Sequence, residues 1–145
     1  MATFNPYLHF TGNTEEVFNF YKSVIGGEFT KLQRFKDLPK SDEFEMPEAF
    51  LEKIMMIELP LGKNSMLTGS DAVMERDGHK FTNGDNFHIA ITADSKEEAD
   101  KLYNGLSDGG TIEMPLAQSF GDTYFGMFAD KYGIQWTVAF DANNE

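Results

Sequence analysis

The sequence predicts an α+β fold in which one βαβββ unit occurs twice inside a single domain spanning residues 1–145. Three observations predict it: a repeated pattern of helix signals, a repeated apolar helix face, and strand-like segments that flank both helices in the same order.

The helix signals come first. Glu15-Glu16 is followed by Tyr21 and then by Gly26-Gly27; Glu97-Glu98 is followed by Tyr103 and then by Gly109-Gly110, with one residue inserted before the second glycine pair. Val17, Phe20, Tyr21 and Val24 recur at i, i+3, i+4 and i+7, as do Ala99, Leu102, Tyr103 and Leu106, so each segment reads as an amphipathic helix. Asn13 or Thr14 before the first helix and Ser95 before the second supply a side-chain oxygen for an orphan backbone N–H. The glycine pairs supply the stops.

The strands follow. Tyr7 to Phe10 precedes the first helix, and Phe29 to Phe35, Ile54 to Leu59 and Ser65 to Thr68 come after it. Phe87 to Thr92 precedes the second, with Thr111 to Leu116, Thr123 to Ala129 and Gln135 to Phe140 after it. Module one covers about residues 4–71 and module two about 86–141. Lys36 to Glu52, with its prolines and acids, reads as an exposed excursion, Ala72 to Asp85 as the polar connection, and Asp141 to Glu145 as a frayed tail.

Composition narrows the function. A net charge of -12 with no basic cluster argues against nucleic acid and anionic membranes, whose binding rests on Lys and Arg neutralising phosphates. With no cysteine, thiolate metal sites, disulfides and cysteine nucleophiles are excluded. No apolar run is long enough to span a bilayer and the N-terminus lacks signal-peptide character, so a cytoplasmic location is expected. The glycine-rich nucleotide loops, the Gly-x-Ser-x-Gly elbow and His-Glu-x-x-His are absent, which removes the chemistries that depend on them.

Three longer motifs carry a family resemblance: Pro6 to Asn13, Phe20 to Gly27, and Phe125 to Trp136. With Ser70-Asp71 and the stretch Gly109 to Leu116, they resemble the PhnB-like branch of the vicinal oxygen chelate superfamily, the group of glyoxalases, extradiol dioxygenases and bleomycin or fosfomycin resistance proteins. The resemblance implies a glyoxalase/bleomycin resistance-like fold, with the modules forming a curved mixed sheet around a cavity, and commonly a homodimer. It also implies, in metal-dependent members, a divalent ion such as Zn, Ni, Mn or Fe held by His, Glu or Gln. Relatives sometimes carry a demethylubiquinone methyltransferase label, but nothing here resembles a cofactor-binding methyltransferase, with its alternating strands and helices and glycine-rich first loop.

His88 stands where many superfamily members place a metal-binding histidine. Alternation turns Phe87, Ile89 and Ile91 toward the helix and leaves His88, Ala90 and Thr92 toward the cavity. The carboxylate usual on the last strand falls at Thr137, and the first-module counterpart of His88 falls at Pro6 or Tyr7, neither an ordinary ligand. Met56 replaces a histidine found in relatives; Glu58 lies on the same strand face, and His9 shares a face with Tyr7. The cavity candidates are therefore Tyr7, His9, Met56, Glu58, His88, Tyr124 and Thr137, with His88, Glu58 and His9 as the metal candidates.

Gly121 replaces a tryptophan common in relatives, which enlarges one end of the cavity, while Trp136 is expected in the core. Asp71 and Asp130 are expected to serve turns or caps. Two functions stay open. One is a protein that binds a small organic molecule in the sheet cavity with the usual metal site incomplete; the other is a divalent-metal-dependent lyase, isomerase or dioxygenase acting on vicinal oxygens.

Overall fold

The computed structural model describes residues 3–37, 48–62, 64–71, 84–119 and 122–141. The chain divides into two compact units, Met1–Thr82 and Asn83–Glu145. The connection from Ala72 through Asn83, most of the Lys36 to Glu52 excursion, Gly121, and the tail after Asp141 lie outside the described residues.

In the first unit the order is β1 (Tyr7–Phe10), α1 (Thr14–Ile25), β2 (Lys31–Arg34), β3 (Ile54–Leu61) and β4 (Ser65–Asp71). In the second it is β5 (Ile89–Thr92), α2 (Lys96–Ser107), β6 (Thr111–Ser119), β7 (Thr123–Ala129) and β8 (Gln135–Asp141). Each unit is strand, helix and three strands, as the repeat predicts. The sheets also share one topology, β1-β4-β3-β2 and β5-β8-β7-β6, with the first strand parallel to the last and the other pairs antiparallel.

The helix side of the first sheet forms one core. Leu8, Phe10, Ile57, Leu59 and Leu67 meet Val17, Phe18 and Tyr21 of α1, all at most 5% exposed. The buried helix face is Thr14, Val17, Phe18 and Tyr21; Phe20 and Val24, expected on it, are only half-buried. Phe18 sets this rotation, because its ring lies over Gly69 of β4, where an added Cβ would come within 2.5 Å of it. In the second unit Ala99 and Leu106 of α2 pack with Ile89, Phe128, Trp136 and Val138. Tyr103 of α2 rests against Gly126 of β7 in a similar close approach.

The two helices start differently. Ser95 accepts the Glu98 N–H at 3.1 Å while the Glu98 carboxylate accepts from the Asp94 N–H at 2.9 Å, a local reciprocal cap. Of the two expected caps, Asn13 makes no side-chain cap bond, and the Thr14 hydroxyl donates to Asp71. The capping role passes to Asp71 at the end of β4, whose Oδ1 accepts from Gly12 N, Thr14 N and Thr14 Oγ1, and whose Oδ2 accepts from Ile54 N. Gly26 and Gly27, at φ of 90° and 88°, turn the chain out of α1 in a region open chiefly to glycine.

Asp130 closes the turn between β7 and β8, taking Tyr132 N and Ile134 N on Oδ1 and Trp136 Nε1 on Oδ2. Both aspartates thus hold backbone, as expected, and Trp136 is core. The β6 strand departs from regularity, with register shifts between Ile112 and Met114 and between Met114 and Ala117. No helix among the described residues is long and apolar enough to cross a membrane.

Candidate functional site

Each sheet has a face turned away from its helix, and the predicted site residues are best placed by that face. In the second sheet, Trp136, Val138 and Phe140 of β8 are buried on the helix side, so Gln135, Thr137 and Ala139 alternate to the open side. The register extends that face across the sheet as Ala90, Thr137, Met127 and Met114. His88, one residue before β5, points the same way by alternation and is joined to it by a bond from Gln135 Nε2 to the Phe87 carbonyl at 2.6 Å.

His88 has a partner the sequence did not suggest. Its Nε2 lies 3.0 Å from Oε2 of Glu113, the side chains being 20% and 31% exposed. Glu113 belongs to β6, at the opposite edge of the sheet, with β8 and β7 between. At ordinary strand spacing those edges stand roughly 14 Å apart, so their side chains meet only if the sheet curves toward its open face. Counting from Thr111 and Ile112, Glu113 alternates to the open face, and the bulge that follows keeps Met114 on that face as well. Ala129, on β7 between them, offers only a methyl beneath the pair.

An ionised carboxylate is an acceptor, so the hydrogen between the two groups belongs to His88 Nε2, and in the neutral imidazole Nδ1 then keeps a lone pair. Glu113 lay in the Gly109 to Leu116 stretch already noted for its resemblance. Its only local signal was Pro115, which interrupts a regular strand.

Tyr124 is on the other side. Its hydroxyl donates to Asp100 Oδ1 on α2 at 2.6 Å, and Lys96 lies 5.3 Å from its ring centre. The Asp100 carboxylate raises the Tyr124 pKa above its ordinary value, chiefly by that hydrogen bond and then with burial. Tyr124 therefore belongs to the α2 packing, not to the face of His88 and Thr137.

The first sheet carries a second polar group on its open face. Leu8 and Phe10 point inward, leaving Tyr7 and His9 outward, with ring centres 4.5 Å apart. Between them is Ser70 of β4, only 6% exposed, whose Oγ accepts from Tyr7 Oη at 3.1 Å and lies 3.1 Å from His9 Nδ1. Glu58 of β3 is on the Tyr7 row, through Thr68, and accepts from Thr30 Oγ1 at 3.4 Å. Met56 shares the face of Glu58, with Ile57 and Leu59 buried opposite.

Matching buried Leu8 with buried Ile89 makes Tyr7 the counterpart of His88, Ser70 that of Thr137, and Glu58 that of Ala129. The choice between Pro6 and Tyr7 is thereby decided. Where the second sheet has a methyl beneath its His–Glu pair, the first has a carboxylate.

The family described as 3-demethylubiquinone-9 3-methyltransferase matches residues 2–139. The protein PA1353 from Pseudomonas aeruginosa is 33% identical, with 97% of this chain and 98% of that one covered at a TM-score of 0.81. Protein YjdN of Escherichia coli strain K12 is 26% identical over 92% of each chain. A PhnB protein from Bacillus cereus, also titled as a putative 3-demethylubiquinone-9 3-methyltransferase, is 23% identical, covering 96% of this chain and 99% of its own at a TM-score of 0.72.

The chain belongs to this family, whose model spans nearly its whole length. Solved glyoxalase/bleomycin resistance/dioxygenase proteins share its fold at 17% and 12% identity. Paired βαβββ units differ from the alternating strands and helices that hold a methyltransferase cofactor, so the methyltransferase description does not fit the architecture seen here.

The divalent metal that the sequence resemblance implies can be tested against these donors. A catalytic site of that kind generally needs three protein ligands. Among the described residues no group of three or more His, Asp or Glu side chains converges. In the first unit His9 Nδ1 is engaged by Ser70, and Glu58 by Thr30. In the second, His88 and Glu113 bond each other, and the usual carboxylate position holds the neutral Thr137. The donor set does not fit the three-ligand site.

Proposed function

We propose that this PhnB-like protein binds a small, largely apolar organic molecule against the open face of its second sheet, with the His88–Glu113 pair as polar anchor. The 3.0 Å contact between residues from opposite sheet edges is the observation that carries the reading. Small-molecule sites combine an apolar lining with a few convergent polar groups, and here Met114 and Met127 adjoin that pair on one face. Thioethers adapt to irregular ligands. With Nε2–H committed to Glu113, Nδ1 accepts from a ligand hydroxyl or amide N–H.

A fragment screen with methyl-labelled methionine tests this. Bound fragments are expected to move the Met114 and Met127 methyl resonances, and Glu113→Ala is expected to weaken them about tenfold, roughly 1.4 kcal/mol. Fragments that bind with those methyls unmoved, or as tightly to the variant, would count against the assignment. The metal-dependent lyase, isomerase or dioxygenase reading has less support, because among the described residues no third His, Asp or Glu converges with His88 and Glu113. A homodimer in the cytoplasm remains our proposal for its assembly and location, resting on the resemblance and on composition; sedimentation velocity checks the first and fractionation the second.

A further inference from the structure

The first sheet holds a hydrogen-bond chain that the ligand reading above does not use. Tyr7 Oη, Ser70 Oγ and His9 Nδ1 follow one another at 3.1 Å and 3.1 Å. Ser70 is nearly buried while Tyr7 and His9 are exposed, so a hidden hydroxyl links two side chains that face outward.

The direction of the chain follows from donor and acceptor strength. A phenol is a better donor than an alkyl hydroxyl, and an imidazole lone pair is a better acceptor than a phenol oxygen. Ser70 has one hydrogen; if it takes one from Tyr7 and gives its own to Nδ1, the neutral imidazole of His9 carries its hydrogen on Nε2, and among the described residues nothing accepts from that N–H. Holding one tautomer ready avoids the cost of selecting it when a ligand arrives.

We propose that His9 Nε2–H is a preset donor for a neutral carbonyl oxygen, with the Tyr7 ring and Met56 as the apolar ground beside it, and that Ser70 is the residue that positions it. Charge selects the neutral acceptor. Glu58 shares the face two strands from Tyr7, roughly 10 Å away at ordinary spacing, and the whole chain carries -12, so a carboxylate is repelled. The proposal rests on the small-molecule reading above but uses the other sheet.

The test begins without a ligand. Nitrogen-15 spectra of the full chain with labelled histidine, at pH 8, are expected to show His9 as the Nε2–H tautomer, and Ser70→Ala is expected to turn it into a mixture. A His9 found with its hydrogen on Nδ1, or unchanged in Ser70→Ala at equal thermal stability, overturns the chain. Tyr7→Phe serves as a second variant should Ser70→Ala fail to fold; it is expected to loosen the same preference, and a tautomer unmoved by it overturns the chain as well.

Acetophenone, ethylbenzene and benzoate then probe the site. Acetophenone is expected to shift the His9 Nε2 resonance, ethylbenzene, which has no acceptor, to leave it, and benzoate to act about fivefold more weakly through repulsion by Glu58 and the net negative charge. Equal shifts from ethylbenzene, or none from acetophenone, overturn the carbonyl assignment. Fragments that move Met114 and Met127 but not His9 would do the same while leaving the proposed function standing.

Discussion

Asp71 Oδ1 accepts a hydrogen bond of 2.6 Å from Thr14 Oγ1, and so a strand end finishes a helix that begins 57 residues earlier. The same carboxylate takes three backbone N–H groups from Gly12, Thr14 and Ile54, at 5% exposure. Asp71→Ala leaves all four donors without it and is expected to destabilise the first unit by about 3–5 kcal/mol. Asp71→Asn keeps an oxygen for the helix but turns an NH2 toward Ile54 N–H, and is expected to cost about half as much. Urea unfolding of both variants measures the difference; equal losses would mean that the oxygen kept for the helix contributes nothing beyond the bond to Ile54.

Gly69→Ala is expected to destabilise by roughly 1–3 kcal/mol, because the new methyl meets the Phe18 ring edge and both lie in a closed core. Thermal unfolding reads the loss, and Phe18→Leu combined with it should recover part. A neutral Gly69→Ala would show that α1 shifts freely.

Glu15 and Arg34 form a two-pronged ion pair at 3.0 Å and 2.8 Å. The Arg34 hydrogen bond, above all, lowers the Glu15 pKa, with burial working partly against it. A lowered carboxylate pKa adds stability that is present above the ordinary carboxylate range and is lost as pH falls through the folded value. Glu15→Gln is therefore expected to flatten the acid limb of the stability profile and change little at neutral pH beyond a small loss. With the glutamate side chain 44% exposed, that loss is expected to stay below about 1 kcal/mol.

Tyr124 makes the opposite prediction in base. Its raised pKa adds stability that is present below the ordinary tyrosine value and is lost as pH rises through the folded one. In an ultraviolet titration Tyr124 is expected to ionise above the ordinary tyrosine range, and Asp100→Asn to bring it back toward that value. A Tyr124→Phe protein with an unaltered titration curve would contradict the assignment.

The repeat was legible because its signals are local. Ser95 and Glu98 sit within one turn, and buried Ala99 and Leu106 repeat at helical spacing, so α2 could be read without its surroundings. The cap of α1 could not, since Asp71 is distant in sequence and Asn13, the residue in the expected place, makes no cap bond. In the site, alternation on β5 and β8 was enough to turn His88 and Thr137 one way. It gave no direction for Tyr124 on β7, where Tyr124, Phe125, Met127 and Phe128 are large on both faces and conceal the two-residue period. Glu113 was hidden because its partner His88 comes from the opposite edge of the sheet, a meeting that alternation along one strand does not reveal. Ser70 had been noted only for its resemblance, because its significance comes from two side chains more than 60 residues away.

The irregular course of β6 also bears on how the protein behaves in a crowded solution. A nine-residue strand on the outside of a sheet, with Ile112 and Met114 at 44% and 40% exposure, would ordinarily offer a row of backbone groups to any passing extended chain. Two register breaks and Pro115 interrupt that row, and Glu113 adds a charge beside it. The irregular strand that carries the carboxylate bonded to His88 thus leaves the edge unable to zip flat onto another strand, so straightening it would expose the chain to aggregation even where the fold survived.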